Sequence, residues 1–243
     1  MKIVDSPLIA HRGASAVSPE NTLVSVELAA KMGARWIETD VRLTADGGLV
    51  IIHDAMLDRT TSGSGRVIST STEAICGLDA GSWFSPDFAS ERVPDLRSYL
   101  QCVLDCGLSL QLELKENVGR EEDLVAAVIA EIQTTWPLGD RGLFLSGFSE
   151  RITRTCAAAL PEVPRALATE FLPKDPKTRL SEAQCQILHV QADVTSPEDL
   201  KPYADIEIAV ATINDAETAD RFLKAGVTSV LSDHVDLLAN GPS

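Results

Sequence analysis

The sequence predicts a TIM-type (β/α)8 barrel with a small insertion after the second strand, and three observations carry that expectation. Short apolar runs alternate with amphipathic segments almost from end to end, the pattern of a parallel sheet covered by helices. Eight such units fit within 243 residues, close to the ~250 typical of this barrel. The alternation breaks once, between the second and third runs, where turn-rich sequence stands in place of a simple crossover. A doubly wound parallel sheet is the alternative, because the middle runs, Arg165–Ala168 above all, carry the weakest pattern.

Taken in order, the first strand is Leu8–Ala10, stopped by His11-Arg12-Gly13. Gly13 permits a sharp turn, and Ser18-Pro19 reads as an N-cap followed by proline at the first helical position. The helix then runs through Thr22–Met32. Arg35–Val41 is the second strand. Asp46-Gly47-Gly48 marks a turn, and Leu49–Ile52 returns as a hairpin strand ending in His53-Asp54. The insertion at about 55–93 contains Thr60-Thr61-Ser62-Gly63-Ser64-Gly65 and the aromatics Trp83, Phe84 and Phe88, expected to form its small core. Further strands are Leu108–Leu114, Gly142–Ser146, Arg165–Ala168, Ile187–Gln191, Ile206–Ala211 and Ser229–Ser232. Helical patterns cover Glu121–Trp136, Arg151–Leu160, Pro197–Tyr203 and Ala216–Ala225. Residues 1–243 therefore read as one barrel domain with an insertion.

Bulk properties narrow the function. A net charge of −15 argues against nucleic acid or an anionic membrane as the partner, so any anionic substrate needs a locally basic pocket. No window approaches the ~18–20 apolar residues of a membrane span, and the first residues lack the apolar stretch of a signal peptide. The five cysteines (Cys76, Cys102, Cys106, Cys156, Cys185) form neither a disulfide framework nor a zinc-like spacing. A cytoplasmic protein without stable membrane association is expected.

Chemistry gathers at the strand ends. In "WIETDVRLT", Glu38 and Asp40 are two apart on a strand and share a face. In "LSLQLELKE", Gln111, Glu113 and Lys115 share one face and Leu110, Leu112 and Leu114 the other, so the polar set projects into the lumen at the carboxyl end, where such barrels keep their sites. Glu38, Asp40 and Glu113 form an oxygen-only set suited to one hard divalent cation, Mg²⁺ or Ca²⁺ with Mn²⁺ a third candidate. An ion network with Arg35, Arg42 or Lys115 would explain the same acids. His11 and His53 both follow short apolar strands and can serve as a general acid and base; His189 and His234 lack comparable neighbours. Arg12 and Lys115 are the nearest cations for a phosphodiester's oxygens.

These residues lie in "HRG(x5)PENT" (His11 to Thr22), "ETDVRLTADGGLVIIHD" (Glu38 to Asp54), "DRTTSGSG" (Asp58 to Gly65) and "LELK" (Leu112 to Lys115). In this order and spacing the motifs resemble the glycerophosphodiester phosphodiesterase family of the bacterial cytosolic type, and "GVTSVLSDHVDLL" resembles its closing strand. The resemblance implies hydrolysis of a small-molecule glycerophosphodiester to glycerol 3-phosphate and an alcohol. By motif, Glu38, Asp40 and Glu113 match the metal ligands, His11 and His53 the acid/base pair, and Arg12 and Lys115 the phosphate contacts. Two departures stand out. Ala211 replaces a tryptophan in "VATIN", and Arg97-Ser98 replace two acids expected after the insertion. The rival readings are a lysophospholipid-directed phosphodiesterase resembling sphingomyelinase D and a non-catalytic phosphodiester-binding protein. The preferred head group and the oligomeric state are left open.

Overall fold

The computed structural model describes residues 2–139 and 142–237. Nine strands form one sheet: β1 (Leu8–His11), β2 (Trp36–Leu43), β3 (Leu49–Ile51), β4 (Ser109–Leu114), β5 (Leu143–Gly147), β6 (Arg165–Thr169), β7 (Ile187–Gln191), β8 (Glu207–Ala211) and β9 (Ser229–Ser232). Eight of them are parallel, and pairing of β1 with both β2 and β9 closes them into a barrel. Strand β3 pairs antiparallel with β2, Val41 opposite Ile51, as the Asp46-Gly47-Gly48 turn requires.

The helices are α1 (Leu23–Lys31), α2 (Thr72–Cys76), α3 (Leu96–Asp105), α4 (Glu121–Thr135), α5 (Glu150–Ala159), α6 (Pro176–Ala183), α7 (Pro197–Leu200) and α8 (Ala216–Lys224). None of the described helices is long and apolar enough to cross a membrane. The alternation of β4 is realised as expected. Leu110, Leu112 and Leu114 are buried in the shell between strands and outer helices, each contributing about 1.5–3 kcal/mol of apolar burial. The other face enters the lumen.

Along β2, Trp36, Glu38 and Asp40 point inward in turn. Trp36 packs on Phe144 with ring centroids 5.7 Å apart, within an apolar plug with Ile9 and Ile187 at the amino end of the barrel. Polar side chains follow towards the carboxyl end. The lumen is thus dry at one end and charged at the other, which confines the chemistry to a single mouth.

The segment between β3 and α3 has an aliphatic core of its own: Val50, Ile52, Leu57, Val67, Ile75, Ala80 and Val93. This corrects the aromatic core expected from the sequence. Trp83, Phe84 and Phe88 pack edge-on in series, and Trp83 is 41% exposed. They pack on one another outside the aliphatic core.

Candidate active site

The strand-end turn after β1 differs from expectation. No helix starts at Ser18; its hydroxyl donates to the Ala14 carbonyl (2.8 Å). Helix α1 begins at Leu23, with Thr22 as its N-cap. The reason lies in the backbone between them. Arg12 and Asn21 adopt left-handed conformations (φ 55° and 58°), and the Asn21 N–H donates to the Arg12 carbonyl at 3.0 Å. Gly13, at φ 90°, packs so closely on Ser25 that a Cβ would lie 2.3 Å from its hydroxyl. Two non-glycine residues at positive φ carry a backbone cost characteristic of functional turns. What the turn achieves is to fold Glu20 and Asn21 back into the barrel mouth.

There a cavity of about 120 Å³ opens, lined by His11, Arg12, Glu38, Asp40, His53, Glu113 and Lys115 together with groups from the later strands. All seven residues singled out in the sequence therefore meet in one place. They arrive from β1, β2, the loop after β3, and β4 with the residue just after it.

The three acids lie deep: Glu38 and Asp40 are 1% exposed and Glu113 5%. One oxygen from each lies within 4.8 Å of the others. Lys115 Nζ pairs with Asp40 Oδ1 at 3.0 Å and also contacts Glu113. Arg12 Nε lies 3.4 Å from Asp40 Oδ2, and the Arg12 backbone N–H donates to Glu38 Oε2 (3.1 Å). Asn21 Nδ2 donates to Asp40 Oδ2 (2.8 Å) and is itself fixed by the Thr39 hydroxyl (2.6 Å). Burial works to raise Asp40, but Lys115 and Arg12 outweigh it and hold this carboxyl well below its usual range. Glu38 goes the other way, pushed up by burial and by the charges of Asp40 and Glu113. Burial likewise raises Glu113 despite Lys115. Three buried acids against two cations leave an excess of negative charge, and a buried divalent ion would relieve it. The donors are all oxygen, so the residues present fit a hard cation.

Of the three cations named for an ion network, Arg35, Arg42 and Lys115, only Lys115 pairs with the acids. Arg35 pairs with Asp5 on the surface, and Arg42 Nε donates to the His53 carbonyl (2.7 Å).

Each histidine is held by an aspartate. His11 Nδ1 is 2.7 Å from Asp233 Oδ1, and Asp233 also accepts from Ser15 Oγ (2.9 Å) and Asn214 Nδ2 (2.7 Å). Burial would raise Asp233, but His11, Asn214 and Ser15 hold it well below the ordinary carboxylate range. His53 Nδ1 is 2.7 Å from Asp54 Oδ1, and Arg59 Nε donates to Asp54 Oδ2 (2.7 Å). Arg59 continues to Glu20 through two bonds of 2.8 Å, and Glu20 accepts from Arg12 at 2.7 Å. A continuous chain His53–Asp54–Arg59–Glu20–Arg12 thus joins an imidazole to a guanidinium. Burial lowers His53, keeping the free ring neutral near pH 7 despite the pull of Asp40.

Sequence reasoning missed several of these groups. Asp233, Asp54 and Arg59 sit inside the quoted motifs, but only the fold shows which side chains they hold. His189, Gln191 and Phe148 also line the cavity. Their signal was parity: His189 and Gln191 alternate on β7 as Glu38 and Asp40 do on β2. The two departures divide. Ala211 does line the cavity. Arg97 instead pairs with Glu131 of α4 at 2.8 Å, and Ser98 donates its N–H to Asp95 at the start of α3. Those two positions serve helix packing and capping rather than the site.

A model of the glycerophosphoryl diester phosphodiesterase family matches residues 11–237. The chain belongs to this family. It is 31% identical over 239 residues to a glycerophosphodiester phosphodiesterase of Caldanaerobacter subterraneus, covering 96% of each chain. Among solved structures it resembles a phosphodiesterase of Oleispira antarctica in complex with the product sn-glycerol-3-phosphate, at TM-score 0.93 and 33% identity, over 97% of this chain and 96% of the other. A glycerophosphodiester phosphodiesterase of Agrobacterium tumefaciens superposes at TM-score 0.81 with 30% identity, over 97% of this chain and 99% of that one. Family membership makes the chain a phosphodiesterase of the glycerophosphodiester class, and the reading as a non-catalytic binder is set aside.

Proposed function

We propose that the chain hydrolyses glycerophosphodiesters to sn-glycerol 3-phosphate and an alcohol, with one divalent cation held by Glu38, Asp40 and Glu113. The observation that carries this reading is the convergence of two aspartate-held histidines, three buried acids and two cations on one cavity. When bound, Mg²⁺, Ca²⁺ or Mn²⁺ supplies Lewis-acid stabilisation of charge on the phosphoryl oxygens.

The chain's own groups do the rest. Arg12 and Lys115 face the phosphate, both kept protonated by the acids around them despite burial. With Nδ1 of each histidine turned to its aspartate, Nε2 is the atom left to move a proton. One ring takes the proton of the nucleophile, a water or the glycerol 2-hydroxyl; the other gives one to the departing alkoxide. Phe148, 6.0 Å from Lys115 Nζ, forms an apolar edge beside the phosphate.

Residues 1–243 act in this reading as one catalytic barrel, with Arg59 brought in by the insertion. The cysteines are free thiols, in keeping with the cytoplasm. A small diester is the partner, rather than nucleic acid or a membrane.

The test is product formation from glycerophosphocholine. Activity should vanish in EDTA and return with Mg²⁺ or Ca²⁺; full activity in chelator would overturn the metal site. A lysophospholipid-directed reading draws on one observation: Val118, Phe148, Phe171 and Val194, on loops after β4 to β7, are 93%, 42%, 66% and 47% exposed. Lysophosphatidylcholine in the same assay compares the two, and glycerophosphocholine is expected to be the better substrate.

A further inference from the structure

The cavity has two unlike walls. The charged groups described above stand on or just after β1, β2 and β4, whereas β7, β8 and β9 contribute His189, Ala211 and Leu231, none of them carrying charge near pH 7. His189 is 3% exposed, and its ring is anchored on one side only. Gln111 Nε2, which donates to Ser146 Oγ (3.1 Å), lies 3.3 Å from His189 Nδ1. An amide nitrogen only donates, so Nδ1 accepts and the ring proton sits on Nε2. That Nε2 meets no acceptor among the described residues, and the neighbouring Gln111 Oε1 meets no donor. Burial, aided by His11 and Lys115, lowers His189 to about 3, so the ring is uncharged at any working pH.

Buried polar groups in native proteins are nearly always paired, so an unmet donor lining a cavity calls for an acceptor on the ligand. A hydroxyl oxygen accepts from such a donor without bringing charge to the neutral wall. An anion is in any case better served across the cavity, by Arg12 and Lys115.

We infer that His189 is a specificity-determining residue whose Nε2–H binds a hydroxyl of the substrate's glycerol half, with Gln111 fixing the ring. This rests on the glycerophosphodiester reading above. It adds the means by which the enzyme tells a glycerol ester from a plain alkyl ester: the diester lies across the lumen, phosphate to the charged wall and hydroxyls to the neutral one.

Two measurements test it. In the Mg²⁺-loaded protein, ¹⁵N spectra of the histidine rings should show His189, assigned by its loss in H189F, as the Nε2–H tautomer. Its Nε2 signal should move with sn-glycerol 3-phosphate and stay in place with inorganic phosphate. An Nδ1–H tautomer, or equal responses to both probes, would overturn the inference. In kinetics, H189F should lose about 10- to 100-fold in kcat/KM for glycerophosphocholine, the range of one buried hydrogen bond. It should change little for propyl phosphocholine, the same diester without hydroxyls, and H189Q, which keeps a donor, should recover part of the loss. Equal losses on both diesters would mark His189 as structural and sink the idea. If wild type turned over neither diester, the functional reading would fail separately; if it turned over glycerophosphocholine alone, the glycerol 2-hydroxyl would be the nucleophile; in both cases the ring spectra decide the contact.

Discussion

The two histidine–aspartate pairs look alike at the point of contact, 2.7 Å in each case, yet they are built by different means. His11–Asp233 bridges the seam where the first and last strands pair, and its aspartate is steadied by neutral donors, Ser15 and Asn214. His53–Asp54 joins adjacent residues in a loop, and its aspartate is steadied by a cation that is itself tied to Glu20 and Arg12. The first pair draws its rigidity from the barrel framework. The second draws it from charge, on a side chain 44% exposed and therefore open to screening. One dyad geometry can thus be reached through topology or through electrostatics, and the two should fail differently.

Removing either ring is the largest test. His11→Ala and His53→Ala should each lower kcat by about 10²–10⁴-fold with the fold retained by circular dichroism. Activity like wild type in either would break the assignment of that pair. A smaller effect separates the supports. Asp233→Asn should cost about 10²-fold in kcat, because His11 loses the carboxylate that orients its ring. Arg59→Ala should cost about 10-fold and make the residual rate less sensitive to salt, since the screened link is gone. If Arg59→Ala were the more damaging of the two, the contrast between framework and charge would be reversed.

The last effect concerns stability against pH rather than rate. His189 titrates near 3 in the folded chain and near 6.5 unfolded, so below 6.5 the unfolded state binds the extra proton. Stability is full above about pH 6.5 and falls as the pH drops towards 3, by a few kcal/mol. Asp233, lowered on folding, adds its own loss only below the ordinary carboxylate range. Thermal melts between pH 7 and 4 should therefore slope less in H189F than in wild type, and identical slopes would contradict a buried neutral ring.

Much of this was legible in the sequence. Strand periodicity carried the barrel, and polar residues ending apolar runs marked the mouth. What escaped did so for physical reasons. Helix α6 has a largely polar sequence with few apolar positions to mark its buried face, and its N-terminus rests on Asp175 and Pro176. Ser18-Pro19 carries a good capping signal, but tertiary contacts of Asn21 and Gly13 overrode it. His189, within Ile187–Gln191, is indistinguishable by local pattern from a histidine packed in a core. The link from Arg59 to Glu20 spans 39 residues and exists only once the insertion has folded back over the mouth.

The seam position of His11 and Asp233 has one more consequence. These partners are 222 residues apart, and β1 meets β9 only when every intervening strand has taken its place. Residues 11–115 carry all three acids and both cations, whereas the His11 dyad waits for Asp233, made last. In the proposed mechanism catalytic competence would therefore arrive with the last strand, and turnover would double as a report that the barrel has closed.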